Sequence, residues 1–355
     1  MRHMVGYPFR LTVCSALLAS FGVLDLTDAA PAYPSTEVSQ FLTNPPDFDV
    51  LLHAADQGDI DSQKQLADRY SRGDGVPEDL TKAARWYHLA AEQGDPEAQS
   101  SLGIMYMNGR GVKKNSDLAI KWYRLAAEQN HARAQYNLGL LYEKGEGVPK
   151  SDSEALRWHR LAAEQRYSAA QYNLGVLYAT GRGVKQDDNE AFRWYKLVAE
   201  QGVSAAQHAL GLLYAKGQGI EQNDSDAIHW YRLAADQGYS QAQYDLGLMY
   251  IKGRADRAND PGAARWLFQL AADQGHAGAQ YTLGMMYARG QGTSQDSVAA
   301  LTWLSLATTQ NAPAANHILY EKELKELVEQ MTAEQVVTAN RQVLEWLQSQ
   351  QRQPN

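Results

Sequence analysis

The sequence predicts an all-α fold, a solenoid of two-helix repeats with helical caps. Three observations predict it: the chain repeats itself every 36 residues, large aromatic residues keep that step, and each period holds two amphipathic helical patterns. The tails of the units read AAEQG or a variant and end at Gly94, Asn130, Arg166, Gly202, Gly238, Gly275 and Asn311. Trp86, Trp122, Trp158, Trp194, Trp230 and Trp303 form one structural column, and Tyr70, Tyr106, Tyr142, Tyr178, Tyr214, Tyr250 and Tyr287 form another. One unit is 37 residues long, its extra residue falling in "KGRADRAND", so Leu267 takes the Trp place and Trp266 sits one position early. Seven units thus fill residues 59–311.

Ahead of the array, residues 1–32 read as a secretory signal. Arg2, His3 and Arg10 precede the 14-residue run "LTVCSALLASFGVL" (11–24), and Ala30-Pro31-Ala32 fits a small-x-small cleavage site. The run is too short to span a bilayer; the competing reading is an apolar N-terminal helix retained on the chain. Thr-Val before Cys14 argues against a lipid-attachment box, which wants a small residue there. Cys14 is the only cysteine, so an exported chain cut at the expected place holds itself together without disulfides. The localisation expected is the periplasm, with secretion beyond it as the other outcome. Residues 33–58 form a linker and a capping helix: "FDVLLHAADQG" (48–58) aligns with the second helix of a unit and covers the open face of the first.

Within a unit the helices follow from caps and periodicity. In the second, Asp95-Pro96 supplies a cap and a first-turn proline, and Ala98, Leu102, Met105 and Tyr106 recur at helical spacing. Gly109 ends that helix in the left-handed conformation glycine tolerates, and Ser116 or Asp117 starts the next. Ala119, Trp122, Tyr123 and Ala126 mark the inner stripe of the second helix. Ala98, Gly103, Ala119 and Ala127 let helices approach closely. One hairpin cannot bury its apolar face, but stacked neighbours can, so truncating a buried column Trp should cost roughly 3–5 kcal/mol. After the array, residues 312–355 hold capping helices and a tail. "AANHILYEKELKELVEQM" (314–331) and "TAEQVVTANRQVLEWLQSQ" (332–350) lose the columns and gain charge, as a terminal unit with a polar outer side requires.

The LGxxY, GxGV and AxxWY-xxAAEQG blocks resemble the Sel-1-like repeat family, a relative of the tetratricopeptide repeats, over about 250 of 355 residues. Ala67 in place of the first-helix Gly of unit one, Ala255 for the second loop Gly of unit six, and Thr293 for the loop Val of unit seven are local departures. The resemblance implies a right-handed α-solenoid that holds other proteins and, among bacterial relatives, export and roles in envelope assembly, signalling or host contact.

Composition and motifs give no support to other classes. The formal net charge is −8, and no basic tract of five or more occurs, which removes the electrostatic reason to bind nucleic acid or an anionic membrane face. The loops "GRGVKK" at 109 and "GRGVKQ" at 181 carry glycines and cations before a helix. They lack the preceding strand and the Lys-Ser/Thr ending of a nucleotide loop, and they recur as turns do. The nine histidines show no metal-ligand pairing within a helix; His159 replaces a column Tyr and His88 stands where other units carry Arg or Lys. Glu92, Glu128, Glu164 and Glu200 repeat at one solvated place, and no nucleophile–base–orienter set stands out. No cofactor, no metal and no catalytic residue is expected, and the chain reads as a non-enzyme.

The candidate binding residues lie on the first helices. Ala134, Leu138, Leu141 and Tyr142 make the core stripe of one such helix, while Tyr136 and Leu140 lie on its other side, one turn apart. Tyr172, His208, Tyr244 and Tyr281 share the place of Tyr136; Ile104, Val176, Leu212, Leu248 and Met285 share that of Leu140. Unit one has Lys64 and Asp68 there. By analogy with tetratricopeptide arrays this side faces a concave groove, where tyrosines suit partner binding; otherwise the same columns pack the first helix on its own second helix. The groove reading expects Tyr172→Ala plus Tyr244→Ala to leave the melting temperature almost unchanged and to lose a partner. The function expected is a scaffold or adaptor in the bacterial envelope that binds a peptide or partner helix. The alternatives are a cell-wall enzyme or glycan binder, and a secreted host-interaction effector.

Overall fold

A computed structural model describes residues 48–254, 259–309 and 314–352. The signal-peptide reading, Cys14, most of the N-terminal linker and the Ala255 departure lie outside the described residues. Seventeen helices and no strand occur among the described residues. The capping helix α1 (Phe48–Asp56) is followed by seven hairpins: α2 (Ile60–Arg72) with α3 (Leu80–Glu92), α4 (Pro96–Asn108) with α5 (Ser116–Glu128), α6 (Ala132–Lys144) with α7 (Asp152–Glu164), and α8 (Ser168–Thr180) with α9 (Asp188–Ala199). Then come α10 (Ser204–Lys216) with α11 (Asp224–Asp236), α12 (Ser240–Ile251) with α13 (Pro261–Asp273), and α14 (Ala277–Arg289) with α15 (Ser297–Thr309). Helices α16 (Ala314–Val328) and α17 (Ala333–Arg352) close the array. Each helix packs on its neighbours in sequence, and both terminal helices reach α15, which makes the chain an α-solenoid.

The caps explain where each helix begins and ends. Asp95 accepts from the Ala98 N–H at 2.7 Å with Pro96 in the first turn, and Gly109 closes α4 at φ 69°. The second helix of that unit does start at Ser116, but the capping side chain is Asn115, whose Oδ1 accepts from Leu118 N–H at 3.0 Å. The second loop glycine is held by space as well as by φ: a Cβ on Gly183 (φ 68°) would lie 2.2 Å from the Asp152 carbonyl oxygen of the preceding unit. At the unit tails Asn130 and Arg166 adopt φ 63° where units one, four, five and six have glycine.

The core runs through the stack as one repeated pattern. Ala98, Leu102, Ala119, Tyr123 and Ala126 are buried, as are Trp86, Trp122 and Trp158. In the 37-residue unit Leu267 is buried at 4% exposure while Trp266 stands out at 58%. The first-helix glycine makes room for a ring: a Cβ on Gly175 would lie 2.7 Å from Tyr195 Cε1, and one on Gly139 would lie 2.6 Å from His159 Cε1. Where unit one has Ala67, Tyr87 instead donates its hydroxyl to the Asp68 carboxylate. Arginines of the second helices tie units together, as Arg160 donates to the Tyr178 hydroxyl at 2.9 Å and Arg232 to that of Tyr250 at 2.7 Å.

A ladder of glutamines, invisible as an apolar column, runs beneath this core. Gln99, Gln135, Gln171, Gln207 and Gln243 are buried, and each donates Nε2 to the carbonyl of an Ala eight residues earlier, at the end of the previous unit's second helix. Helix carbonyls left over at a C-terminus thereby find a donor. The Oε1 of the same side chains accepts from Gln129, Gln165, Gln201, Gln237 and Gln274 of the AEQG tails. The N-terminal cap imitates a real second helix in this respect, since Gln63 donates to the Ala55 carbonyl of α1 at 3.0 Å.

The C-terminal helices dock on α15 through a few buried side chains. Tyr320 of α16 and Ala339 of α17 are buried, and Thr302 of α15 donates to Gln342 at 2.9 Å. Charged and polar side chains such as Glu321, Lys322, Lys325, Glu326, Arg341 and Glu345 are exposed on these helices, interspersed with exposed Ile318, Leu319, Val337 and Leu344.

Candidate functional site

The first helices α6, α8, α10, α12 and α14 bring Tyr136, Tyr172, His208, Tyr244 and Tyr281 to one face, all half-buried. Each of the first four also leans on the second helix of its own unit. Ring centroids are 5.5 Å apart for Tyr136–His159, 5.6 Å for Tyr172–Tyr195, 5.5 Å for His208–Tyr231 and 5.7 Å for Tyr244–Phe268. The two readings of this column therefore coexist in one side chain: one edge packs and the other faces outward. These contacts argue that Tyr172→Ala plus Tyr244→Ala costs thermal stability as well as a binding surface, because ring pairs of this kind add about 0.5–1.5 kcal/mol beyond their buried area.

A second aromatic column, which the sequence reading missed, interleaves with the first. It stands at the residue just before each first helix, where Tyr167, Tyr239 and His276 occupy the capping position. Tyr136 meets Tyr167 at 5.2 Å, His208 meets Tyr239 at 5.4 Å, and Tyr244 stacks on His276 at 4.7 Å. The signal was present in the letter after each AEQG tail, which reads Tyr, Val, Tyr and His at 167, 203, 239 and 276. At the far end Tyr320 of the cap stacks on Tyr281 at 4.4 Å, so Tyr281 is covered rather than open.

Polar groups along this band are linked to one another. His208 Nε2 lies 2.7 Å from Asp245 Oδ2, which also accepts from Gln241 at 3.2 Å; Gln241 Oε1 lies 2.9 Å from His276 Nε2. Burial raises the pKa of Tyr136, Tyr172, Tyr244 and Tyr281, so all four carry neutral hydroxyls at neutral pH. Burial likewise lowers His276.

His159 puts an imidazole where Tyr123, Tyr195 and Tyr231 have a phenol. It is fully buried, burial holds its pKa down to about 4, and neither ring nitrogen has a hydrogen-bond partner among the described residues. Its 3.8 Å approach to Glu143 is thus a contact of a neutral imidazole, and burial pushes the Glu143 carboxyl up. The Trp column is packed to differing degrees. Trp194, Trp230 and Trp303 are half-buried beside the fully packed Trp86, Trp122 and Trp158. No cluster of three His, Cys, Asp or Glu residues placed to hold a metal ion occurs among the described residues, and no helix among them is long and apolar enough to cross a membrane. Along this face the arrangement offers rings, aliphatic side chains and amides, the groups that recur in protein interfaces.

Comparison with known proteins agrees with the repeat geometry. The Sel1 repeat family matches seven times in tandem, at residues 60–95, 96–131, 132–167, 168–203, 204–239, 240–276 and 277–311. No curated protein matches the chain. Among solved structures, a Sel1 repeat protein from Oxalobacter formigenes is 31% identical over 83% of this chain and 82% of its own, with a TM-score of 0.65. The c5321 protein, a protective antigen of uropathogenic Escherichia coli strains with an SLR fold, is 26% identical over 86% of this chain and 90% of its own, with a TM-score of 0.51. With its repeats matched from residue 60 to residue 311, the chain belongs to the Sel1 repeat family.

Proposed function

We propose that the chain is a non-catalytic scaffold of the bacterial cell envelope, binding an extended peptide or a partner helix on the concave face lined by its first helices. Sel1 repeat arrays are in general protein-interaction scaffolds. The observation that carries the finer reading is the row of half-buried rings along units three to six, doubled by a second ring in units three, five and six. Such rings are rigid and amphipathic, and little side-chain entropy is lost when a partner covers them. Export rests on the N-terminal basic residues, the apolar run 11–24 and the small-x-small site. It fits with the description of the similar Escherichia coli protein as a protective antigen.

A glycan-binding reading is less well supported, because Tyr244 already has its face against His276 and Tyr281 against Tyr320. The test is position-specific photo-crosslinking in the native host. A photoreactive residue in place of Asn137 or Asn173, beside the band, should trap a partner. One at Arg157 or Arg193, exposed on second helices, should not. Equal trapping from both sides, or trapping from the second helices alone, would refute the reading. Fractionation of the same cells tests the location.

A further inference from the structure

The N-terminal end of the same face is chemically unlike the rest, and the chain's own periodicity shows how. The residue after the first loop glycine is an arginine in units two, four and six. In unit four Arg182 donates to Asp152 at 2.7 Å, and in unit six Arg254 donates to Asp224 at 2.7 Å, each partner lying thirty residues earlier, at the start of the preceding second helix. For Arg110 of unit two the same register position is Leu80, and Arg110 makes no ion pair among the described residues. Twice, then, this fold closes an arginine onto a carboxylate; at Arg110 the carboxylate is replaced by an apolar side chain.

A cavity of about 300 Å³ opens at that place. Arg72, at the end of α2, lines it with Arg110, and it too makes no ion pair among the described residues. Ser71 and Ser101 add hydroxyls to the lining, over apolar surface from Leu80 and Ile104. Arg133 donates to the Ser101 hydroxyl oxygen at 2.9 Å, which leaves the Ser101 hydrogen to be donated elsewhere and adds a third guanidinium nearby. The carboxylate of Asp68 already accepts from Tyr87, whose side chain lies in the cavity wall. Ser101 and Ile104 occupy the first-helix columns of Asn137 and Leu140, so the cavity is continuous with the face of units three to six.

We infer that this cavity receives an aspartate or glutamate side chain of the partner, docked between Arg72 and Arg110, and so fixes where along the array an extended acidic–apolar segment begins. The inference rests on the interaction face proposed above and adds a chemical requirement to it. Charge-assisted bonds to a guanidinium pair are directional as well as strong, which suits a register-setting contact. Complementarity is local: the chain as a whole carries −8, yet the lining of this cavity holds two arginines and no carboxylate.

The test uses a displayed library of randomised dodecapeptides selected on the full chain and on the Arg72→Gln/Arg110→Gln variant. Both arginines are exposed, so circular dichroism and melting should match wild type. Wild type should enrich peptides with Asp or Glu at a fixed spacing from aliphatic or aromatic residues. Resynthesis with Asn or Gln, or use of the variant, should weaken binding about tenfold or more, and the two losses should not add. Binders that tolerate both changes overturn the carboxylate pocket and leave the interaction face standing. Binders weakened only by C-terminal amidation overturn the side-chain assignment. A selection that yields no peptide for wild type overturns both.

Discussion

Gln165 places its Nε2 2.7 Å from the Oε1 of Gln135, thirty residues earlier on the facing helix of the same unit. Gln135 in turn donates to the Ala127 carbonyl of the unit before. The pair is therefore a relay: one amide satisfies a buried helix terminus and is itself held by a second amide. Replacing Gln171, the equivalent residue of unit four, by Leu leaves the Ala163 carbonyl and the Gln201 amide without that partner. A loss of about 1–3 kcal/mol is expected in chemical denaturation. A change below about 0.5 kcal/mol, ordinary for surface sites, would show the ladder to be dispensable.

The left-handed tail positions give a prediction of the opposite sign. Arg166 holds φ 63° without the absence of a side chain that makes this conformation easy for glycine. Arg166→Gly should raise stability by about 0.5–1 kcal/mol, the relief of strain exceeding the added freedom of the unfolded chain. Asn130→Gly should gain less or nothing, because Asn130 Oδ1 accepts from both Gln135 and Gln165. Paired melting curves check the difference.

Gly175→Ala reverses the usual helix rule. Alanine normally stabilises a helix interior, but here its methyl group would meet the Tyr195 ring at 2.7 Å. Overpacking of this kind should cost about 1–3 kcal/mol. Unit one, with Ala67 and a differently bonded Tyr87, shows the only relief the fold uses among the described residues. If Gly175→Ala melts at or above wild type, the ring does not depend on the glycine.

His159 supplies the pH prediction. Its pKa is lowered in the fold from 6.5 to about 4 by burial. Above pH 6.5 the ring is neutral in both folded and unfolded chains and adds no pH dependence. As pH falls from 6.5 toward 4 only the unfolded chain takes up the proton, so stability is lost through that window, up to roughly 3 kcal/mol. His159→Tyr, which restores the ring found at Tyr123 and Tyr195, should remove this portion of the acid sensitivity. Denaturation of both proteins at pH 7 and pH 4.5 measures it; equal slopes with pH would refute a buried neutral imidazole.

The double substitution Tyr172→Ala and Tyr244→Ala is expected to lower the melting point as well as partner binding, by about 1–3 kcal/mol per ring, less than a fully buried ring would cost. An unchanged melting point would return both rings to a purely binding role despite their contacts with Tyr195, Phe268 and His276.

How much of this was legible in the letters depends on what kind of force each residue answers to. The hairpins were legible because apolar periodicity and glycine punctuation report burial directly; even the one-residue slip that exposes Trp266 and buries Leu267 could be counted. The face was legible only by halves. Tyr136 and its equivalents were visible as a column, but their dual role depends on a ring from the second helix, 23 residues away in the pair Tyr172–Tyr195. Tyr167 and Tyr239 were passed over because they stand at a capping place, where polar residues are sought. The glutamines were passed over because an amide looks solvated until its partners, eight and thirty residues off, are known. Arg110 looked like one more turn residue, and its lack of a carboxylate emerges only beside Arg182 and Arg254.

The amide relay has a consequence for how such a chain can change in length. Deleting or duplicating one whole period leaves every glutamine opposite a carbonyl, whereas a cut at any other interval strands a donor and an acceptor inside the stack. Inherited size variants should therefore come in steps of one hairpin, and the grip on a bound segment would lengthen or shorten by the same quantum.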